Sequence, residues 1–183
     1  MRRVTPYKVL GVAPYLAYFI TQVTYQRVPW LCEEVGRKAL REAIIQVKRT
    51  HPFSIDEIAL LPDHFHCLLT LPPDDADFSV RLRLVKGYVT RHYGSALGIN
   101  RGVSLSRQKR GERNLWQRRY WEHLIRDERD FARHCDYIHY NPVRHGLCKN
   151  PQDWCFSSVH RFIAEGIYPS NWGQDDDTSG RVC

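Results

Sequence analysis

Two strand-like runs, Phe53–Leu61 and His64–Leu71, are joined by nothing but Pro62-Asp63, and a long stretch of helical period lies beyond each of them. Proline fixes φ and aspartate tolerates a tight turn, so the dipeptide folds the two runs into an antiparallel hairpin. Upstream, Cys32–His51 places Val35, Ala39, Leu40, Ala43, Ile44 and Val47 on one helical face, and Pro52 stops the helix. Downstream, Phe78–Leu97 repeats that period through Val80, Leu82, Leu84, Val85 and Val89, with Gly87 as its weak position. Tyr15–Arg27 and Trp116–Arg126 are rich in aromatic and β-branched residues and read as the first and fourth strands. Asp127–Tyr140 opens on acidic residues, as a helix N-terminus prefers, and a short helix follows at Ser157–Ala164. The order β-α-β-β-α-β-α predicts an α+β fold, the ferredoxin-like (RRM-like) sandwich. It is a four-stranded antiparallel sheet with helices on one face and one more helix after the fourth strand.

A chain of 183 residues suits one domain, expected over residues 1–165, with a polar C-terminal tail at 166–183. Lys and Arg total 27 against 20 for Asp and Glu, a net charge of +7 that favours an acidic partner, most simply nucleic acid. No segment reaches the roughly 18 apolar residues that span a bilayer. Arg2, Arg3 and Lys8 precede an apolar stretch from Val9 to Ile20, but Gly11 and Pro14 interrupt it and no small-x-small cleavage site follows. The six cysteines are scattered with no C-x-x-C pair, so neither a zinc finger nor a disulfide framework is expected. A cytoplasmic, nucleoid-associated protein is the expectation.

Three groups of residues carry candidate chemistry. In His64-Phe65-His66, residues two apart in a strand share one face, so the two imidazoles can close on one cation while Phe65, Cys67 and Leu69 turn to the core. Hydrogen-bonded surface histidines would show the same spacing. Tyr137 and Asn141 stand four apart and share a helical face, either as nucleophile and metal ligand or as a half-buried tyrosine and a helix end before Pro142. His134 and His139 are alternative donors on that helix, and Tyr140 is the rival nucleophile. Finally, Arg101, Arg107, Lys109, Arg110, Arg113, Arg118 and Arg119 are interleaved with Trp116 and Tyr120. Cations beside aromatics suit phosphate contacts and base stacking, whereas a bare charge run is a solvated loop.

Taken together, these stretches resemble the single-tyrosine HUH transposases, and within them the REP-associated tyrosine transposases of bacteria. The matching text runs Leu61-Pro62-Asp63-His64-Phe65-His66-Cys67, then Leu115-Trp116-Gln117-Arg118-Arg119-Tyr120-Trp121-Glu122-His123. It continues with Asp136-Tyr137-Ile138-His139-Tyr140-Asn141-Pro142-Val143-Arg144-His145-Gly146 and Trp154-Cys155-Phe156-Ser157-Ser158. The resemblance implies that His64, His66 and Asn141 hold a divalent ion, Mg²⁺ or Mn²⁺, and that Tyr137 is the nucleophile on a catalytic helix after the fourth strand. It also implies nicking and rejoining of single-stranded DNA through a 5′-phosphotyrosine link at hairpins of repetitive extragenic palindromes (REP), by a monomer or a dimer. The broader insertion-sequence relatives carry glutamine where this chain has Asn141.

Two other readings stand beside it: a ferredoxin-like nucleic-acid-binding module without catalysis, and a metallohydrolase that uses no tyrosine. Trp172 with Asp175, Asp176 and Asp177 could fold back on a basic site in place of DNA, or the tail could stay disordered.

Overall fold

A computed structural model describes residues 16–97 and 114–174. Strand β1 (Ala17–Val23) leads through a 3₁₀ turn to helix α1 (Glu34–Thr50), and strands β2 (Ser54–Leu60) and β3 (His64–Thr70) form the hairpin. Helix α2 (Phe78–Tyr93), strand β4 (Trp121–Leu124), helix α3 (Glu128–Arg144) and the short α4 (Val159–Ala164) complete the order. The strands lie as β2-β3-β1-β4 with every neighbour antiparallel, the topology expected of the ferredoxin-like sandwich.

Alternation along β3 decides where everything else goes. Phe65, Cys67 and Leu69 join the core formed with α1 and α2, where Ala39, Leu40, Ala43, Leu82, Val85 and Val89 are buried. Leu68 faces the other way, into a second core with Ala17, Phe19, Phe131, Cys135, Ile138 and Phe162. All seven β3 residues are therefore buried, because α1 and α2 cover one face of the sheet and α3 crosses the other. Each fully buried Leu or Phe contributes about 1.5–3 kcal/mol, so the two cores together clamp the central strands. Gly36 is required where α1 meets the preceding segment: a Cβ there would lie 2.0 Å from the Trp30 carbonyl oxygen.

The fourth strand and the end of the third helix differ from the sequence expectation. The fourth strand is confined to Trp121–Leu124, since Leu115 and Trp116 turn into the first core. The Thr24–Trp116 bridge, the Gln117 N–H to Val23 carbonyl bond (2.9 Å), the Tyr25 N–H to Leu115 carbonyl bond (2.9 Å) and the Gln22 Nε2 to Gln117 carbonyl bond (3.1 Å) tie that segment to β1 and the residues just after it. Lys86 holds the same segment from α2, its ammonium donating to Gln22 Oε1 (3.0 Å) and to the Gln117 carbonyl (2.8 Å). Helix α3 runs on through Pro142 to Arg144 and stops where Gly146 takes a left-handed φ of 67°. Packing also continues past residue 165, because Ile167 and Tyr168 lie against the second core and Trp172 stacks on Tyr168 at 4.1 Å. Asp175, Asp176 and Asp177 lie outside the described residues. Among the described residues no helix is long and apolar enough to cross a membrane.

A buried polar knot fixes α3 to the sheet. Glu57 on β2 is almost fully buried; it accepts from Ser158 Oγ at 2.9 Å and lies 3.1 Å from His139 Nε2, with Arg161 at 3.4 Å. Burial pushes the Glu57 carboxyl up to about 8 against the pull of Arg161, and burial pulls the His139 imidazole down to about 3. Glu57→Leu would leave His139 and Ser158 facing an apolar group, and each buried polar group left without a partner costs about 1–3 kcal/mol. Glu57→Gln keeps the oxygen and is expected to lose less. Urea denaturation of the two variants measures the difference.

Candidate active site

Where α3 crosses the sheet it leaves one corner uncovered, and a cleft of about 590 Å³ opens there. Residues directly opposite in an antiparallel ladder point to the same face. Register therefore puts Trp121 (β4), Thr21 (β1), His66 (β3) and Ala59 (β2) in one row, and His123, Phe19, Leu68 and Glu57 in the next. Trp121, Thr21 and His66 of the first row line the cleft together with Phe19 of the second, while Ala59 and Leu68 pack in the second core. Tyr137, His134 and Arg133 close the cleft from α3, with His64, His145 and Arg27 at its other end.

Each histidine of the pair is held by its Nδ1. His64 Nδ1 lies 2.6 Å from Asp63 Oδ1, and His66 Nδ1 lies 2.8 Å from Thr21 Oγ1. The rings stand 5.0 Å apart, nearly perpendicular. A hydrogen bond at one ring nitrogen sets the direction of the other, the arrangement by which proteins orient metal-binding imidazoles. Burial alone would raise the Asp63 carboxyl, but the bonds from His64 and Arg27 hold it below its ordinary value. His66 is pushed down to about 3, first by burial and then by the neighbouring His64 and His145. Its ring is thus neutral, with Nε2 able to donate a lone pair.

His66 Nε2 and Asn141 Oδ1 are both buried and make no hydrogen bond of good geometry, although the Asn141 amide is near enough to His66 to oppose the downward pull of burial. Stranding two such groups costs about 1–3 kcal/mol each. One is a neutral imidazole nitrogen and the other an amide oxygen, a pair of donors that suits a divalent cation. Asn141 remains helical although proline follows it, and its side chain is buried beside His66.

Tyr137 meets the same wall. Its ring centre is 5.2 Å from that of His66 and 5.6 Å from that of Phe19, both edge-on, and Arg144 covers it at 5.7 Å. The residue is 38% exposed, so the phenol is framed by aromatic edges yet open to the cleft. The rival Tyr140 packs near Trp172 at 6.5 Å and does not line the cleft. His139 is sealed in the Glu57 knot.

His123, Asp130 and His134 form a further group, with donor atoms all within 4.8 Å of one another, a spacing that could hold a metal ion. Asp130 is already saturated, however. Its carboxylate takes His123 Nε2 at 2.7 Å, Arg126 Nε at 3.1 Å and Arg133 Nη2 at 3.1 Å. Burial would raise this carboxyl, but those bonds, His123 and Arg126 foremost, hold it well below the usual range. Two guanidinium charges compete with any cation at that position.

Of the expected DNA contacts, Arg118 and Arg119 are exposed just before β4. Trp116 is buried against Trp30 and Phe65, which removes it from contact with a base, and Tyr120 is half-buried against Phe78. Arg101, Arg107, Lys109, Arg110 and Arg113 lie outside the described residues. Sequence reasoning missed Thr21, Phe19, Arg27, Arg133, Trp121 and His145 as cleft residues. Only the strand register, which places Thr21 and Trp121 beside His66, could have brought those two forward.

Comparison with known proteins agrees with this geometry. A family model described as "Transposase IS200 like" matches residues 13–141, which include both histidines, Tyr137 and Asn141. A REP-associated tyrosine transposase of Escherichia coli is 44% identical over 136 residues, covering 74% of this chain and 72% of its own length. A Haemophilus influenzae protein assigned to the same transposases is 40% identical over 161 residues, covering 87% of this chain and 89% of its own. The solved structure of a REP-associated tyrosine transposase bound to a REP hairpin superposes with a TM-score of 0.70 at 36% identity, over 100% of this chain and 98% of the other. The chain belongs to the IS200-like transposases, and within them to the REP-associated tyrosine transposases, a class of enzymes.

The depressed His66 value has a consequence for stability. Between pH 6.5 and about 3 the unfolded chain binds a proton at this residue that the folded protein excludes, so stability rises with pH across that window and is fully present above it. In EDTA, lowering the pH from 7 to 4 is expected to cost the wild type on the order of 3 kcal/mol more than His66→Gln. Denaturation midpoints of the two proteins across that range measure the effect.

Proposed function

We propose that the cleft nicks and rejoins single-stranded DNA at REP-type hairpins, with Tyr137 as nucleophile and a divalent cation held by His64, His66 and Asn141. The observation that carries this reading is the buried, unpartnered pair of His66 Nε2 and Asn141 Oδ1 in the same wall as an open tyrosine. The solved relative bound to a REP hairpin supports the choice of substrate. Mg²⁺ or Mn²⁺, bound there, would neutralise charge on the scissile phosphate as its fifth oxygen approaches.

The protein's own residues do the rest. Asp63 and Thr21 keep both imidazoles turned toward the cleft. Phe19 and Arg144 hold the Tyr137 ring at the cleft. A free phenol has a pKa of ~10 and must lose its proton to attack; His134, three residues before Tyr137, is the nearest imidazole of α3 in the cleft. Attack forms the tyrosine O–P bond and breaks the bond from phosphorus to the 3′ oxygen, which leaves as a 3′-hydroxyl. The phosphodiester energy stays in the covalent link, so that hydroxyl, or another, can reverse the step. Arg27, Arg133, Arg118 and Arg119 supply cationic contacts along the strand, and the basic residues 101–113 extend them.

Incubation with a labelled single-stranded REP hairpin and Mn²⁺ is expected to give an adduct that survives denaturation. Tyr137→Phe is expected to form none. His64→Ala or His66→Ala is expected to lower cleavage at least about a hundredfold, as loss of a preorganised electrostatic group does, while retaining most hairpin affinity. An adduct from the Tyr137→Phe protein would remove the tyrosine from its role, and cleavage with no adduct in the wild type would favour the metallohydrolase. Hairpin affinity is also expected to fall with salt, with a log–log slope of about −0.7 per phosphate contacted; a flat salt dependence would count against the cationic path.

A further inference from the structure

We propose that Trp121 is a stacking platform for one nucleobase of the DNA strand, seated beside the scissile phosphate; the proposal rests on the nicking reading above. At 55% exposure it is the most exposed large hydrophobic side chain among the described residues, and it stands at the mouth of the cleft rather than on a remote face. Its ladder partner is Thr21, whose hydroxyl holds His66, so the indole and the His66 ring lie in one transverse row, two strand spacings (about 10 Å) apart at the backbone.

The indole is fixed in place. Phe19 meets it edge-on at 5.3 Å, and the His123 ring lies parallel to it at 6.1 Å and 7°. His123 in turn stacks on His134 at 4.8 Å and is bonded to the buried Asp130 at 2.7 Å. The aromatic shelf Trp121–His123–His134 thus runs from solvent into the cleft that Tyr137 lines, braced by a carboxylate that Arg126 and Arg133 also lock.

The chemistry of the surroundings selects the ligand. Arg27 and Arg133, each with a side chain 60% exposed, line the same cleft. An open aromatic face flanked by cations fits a flat π-system on an anionic backbone, the pattern by which single strands are bound with little sequence preference. A protein partner would instead need a contiguous apolar patch. Leu124, the other exposed apolar residue of β4, is three positions away and therefore points to the opposite face of the sheet. The shelf takes over the role that the sequence suggests for Trp116, which is buried.

The test is a double-mutant cycle in the full-length Tyr137→Phe protein with EDTA present, so that binding is read without cleavage. The probe is a fluorescent REP-type hairpin with single-stranded flanks, in which one abasic residue is moved a nucleotide at a time. One abasic position is expected to weaken binding to the Trp121 protein by about tenfold or more, the loss of one base–aromatic stack. Trp121→Ala is expected to lose a similar factor on the intact probe and to become indifferent to that position, while Trp121→Phe retains most of the affinity. Trp121→Ala binding the intact probe as tightly as its parent would overturn the platform, as would equal losses at every abasic position. The adduct assay with the Tyr137 protein separates the two readings. An adduct without coupling sinks the platform alone, and coupling without an adduct sinks the nicking reading alone.

Discussion

A buried imidazole nitrogen and a buried amide oxygen, side by side and without hydrogen bonds, are what the rest of this molecule is arranged to maintain. Proteins pair nearly all such atoms, and an unpaired one destabilises the fold unless something else occupies its lone pair. Here the two come from elements far apart in sequence, β3 and α3, and each is held by separate means. Thr21 turns His66 from the neighbouring strand, and the α3 backbone carries Asn141 inward despite the following proline. The same two elements carry His64 and Tyr137 to the adjoining cleft. The cleft tyrosine and the proposed ligands are thereby set by one helix-on-sheet contact.

That contact is stabilised by more than apolar packing. Near the start of α3, Asp130 gathers His123 from β4 together with Arg126 and Arg133; further along, His139 enters the Glu57 and Ser158 knot beneath β2. Polar networks of this kind are costly if incomplete and directional when complete. They fix α3 against the sheet in rotation and in register, which apolar packing alone does loosely. A rigid helix matters because a displacement of about 1 Å at the reacting atoms can lower a rate a hundredfold. The fold thus places its buried polar networks at the two points where α3 could otherwise slide.

Much of this was legible in the sequence, and the limits have physical reasons. Strand period 2 correctly sent His64 and His66 to one face and Phe65 to the other, because both faces of β3 are buried and a slip of one residue would invert them. Helical period placed Tyr137 and Asn141 together. Proline rules argued for an early helix end at Asn141, yet α3 continues through Arg144, because tertiary burial outweighs a local preference near the last turn. Trp116 and Trp121 could not be told apart by composition. Which of them is core depends on where the ladder to β1 breaks, and that is set by Lys86 and Gln22 across the sheet. The Glu57 network joins residues about a hundred positions apart, beyond any local pattern.

The most direct measurement is the position of a bound ion. Anomalous diffraction from crystals soaked in Mn²⁺ would locate it without reference to activity. The account predicts one strong peak within ligand distance, about 2.0–2.3 Å, of His64 Nε2, His66 Nε2 and Asn141 Oδ1, with the Tyr137 oxygen facing it across the cleft. A peak at His123, Asp130 and His134 with nothing between His64 and His66 would contradict it.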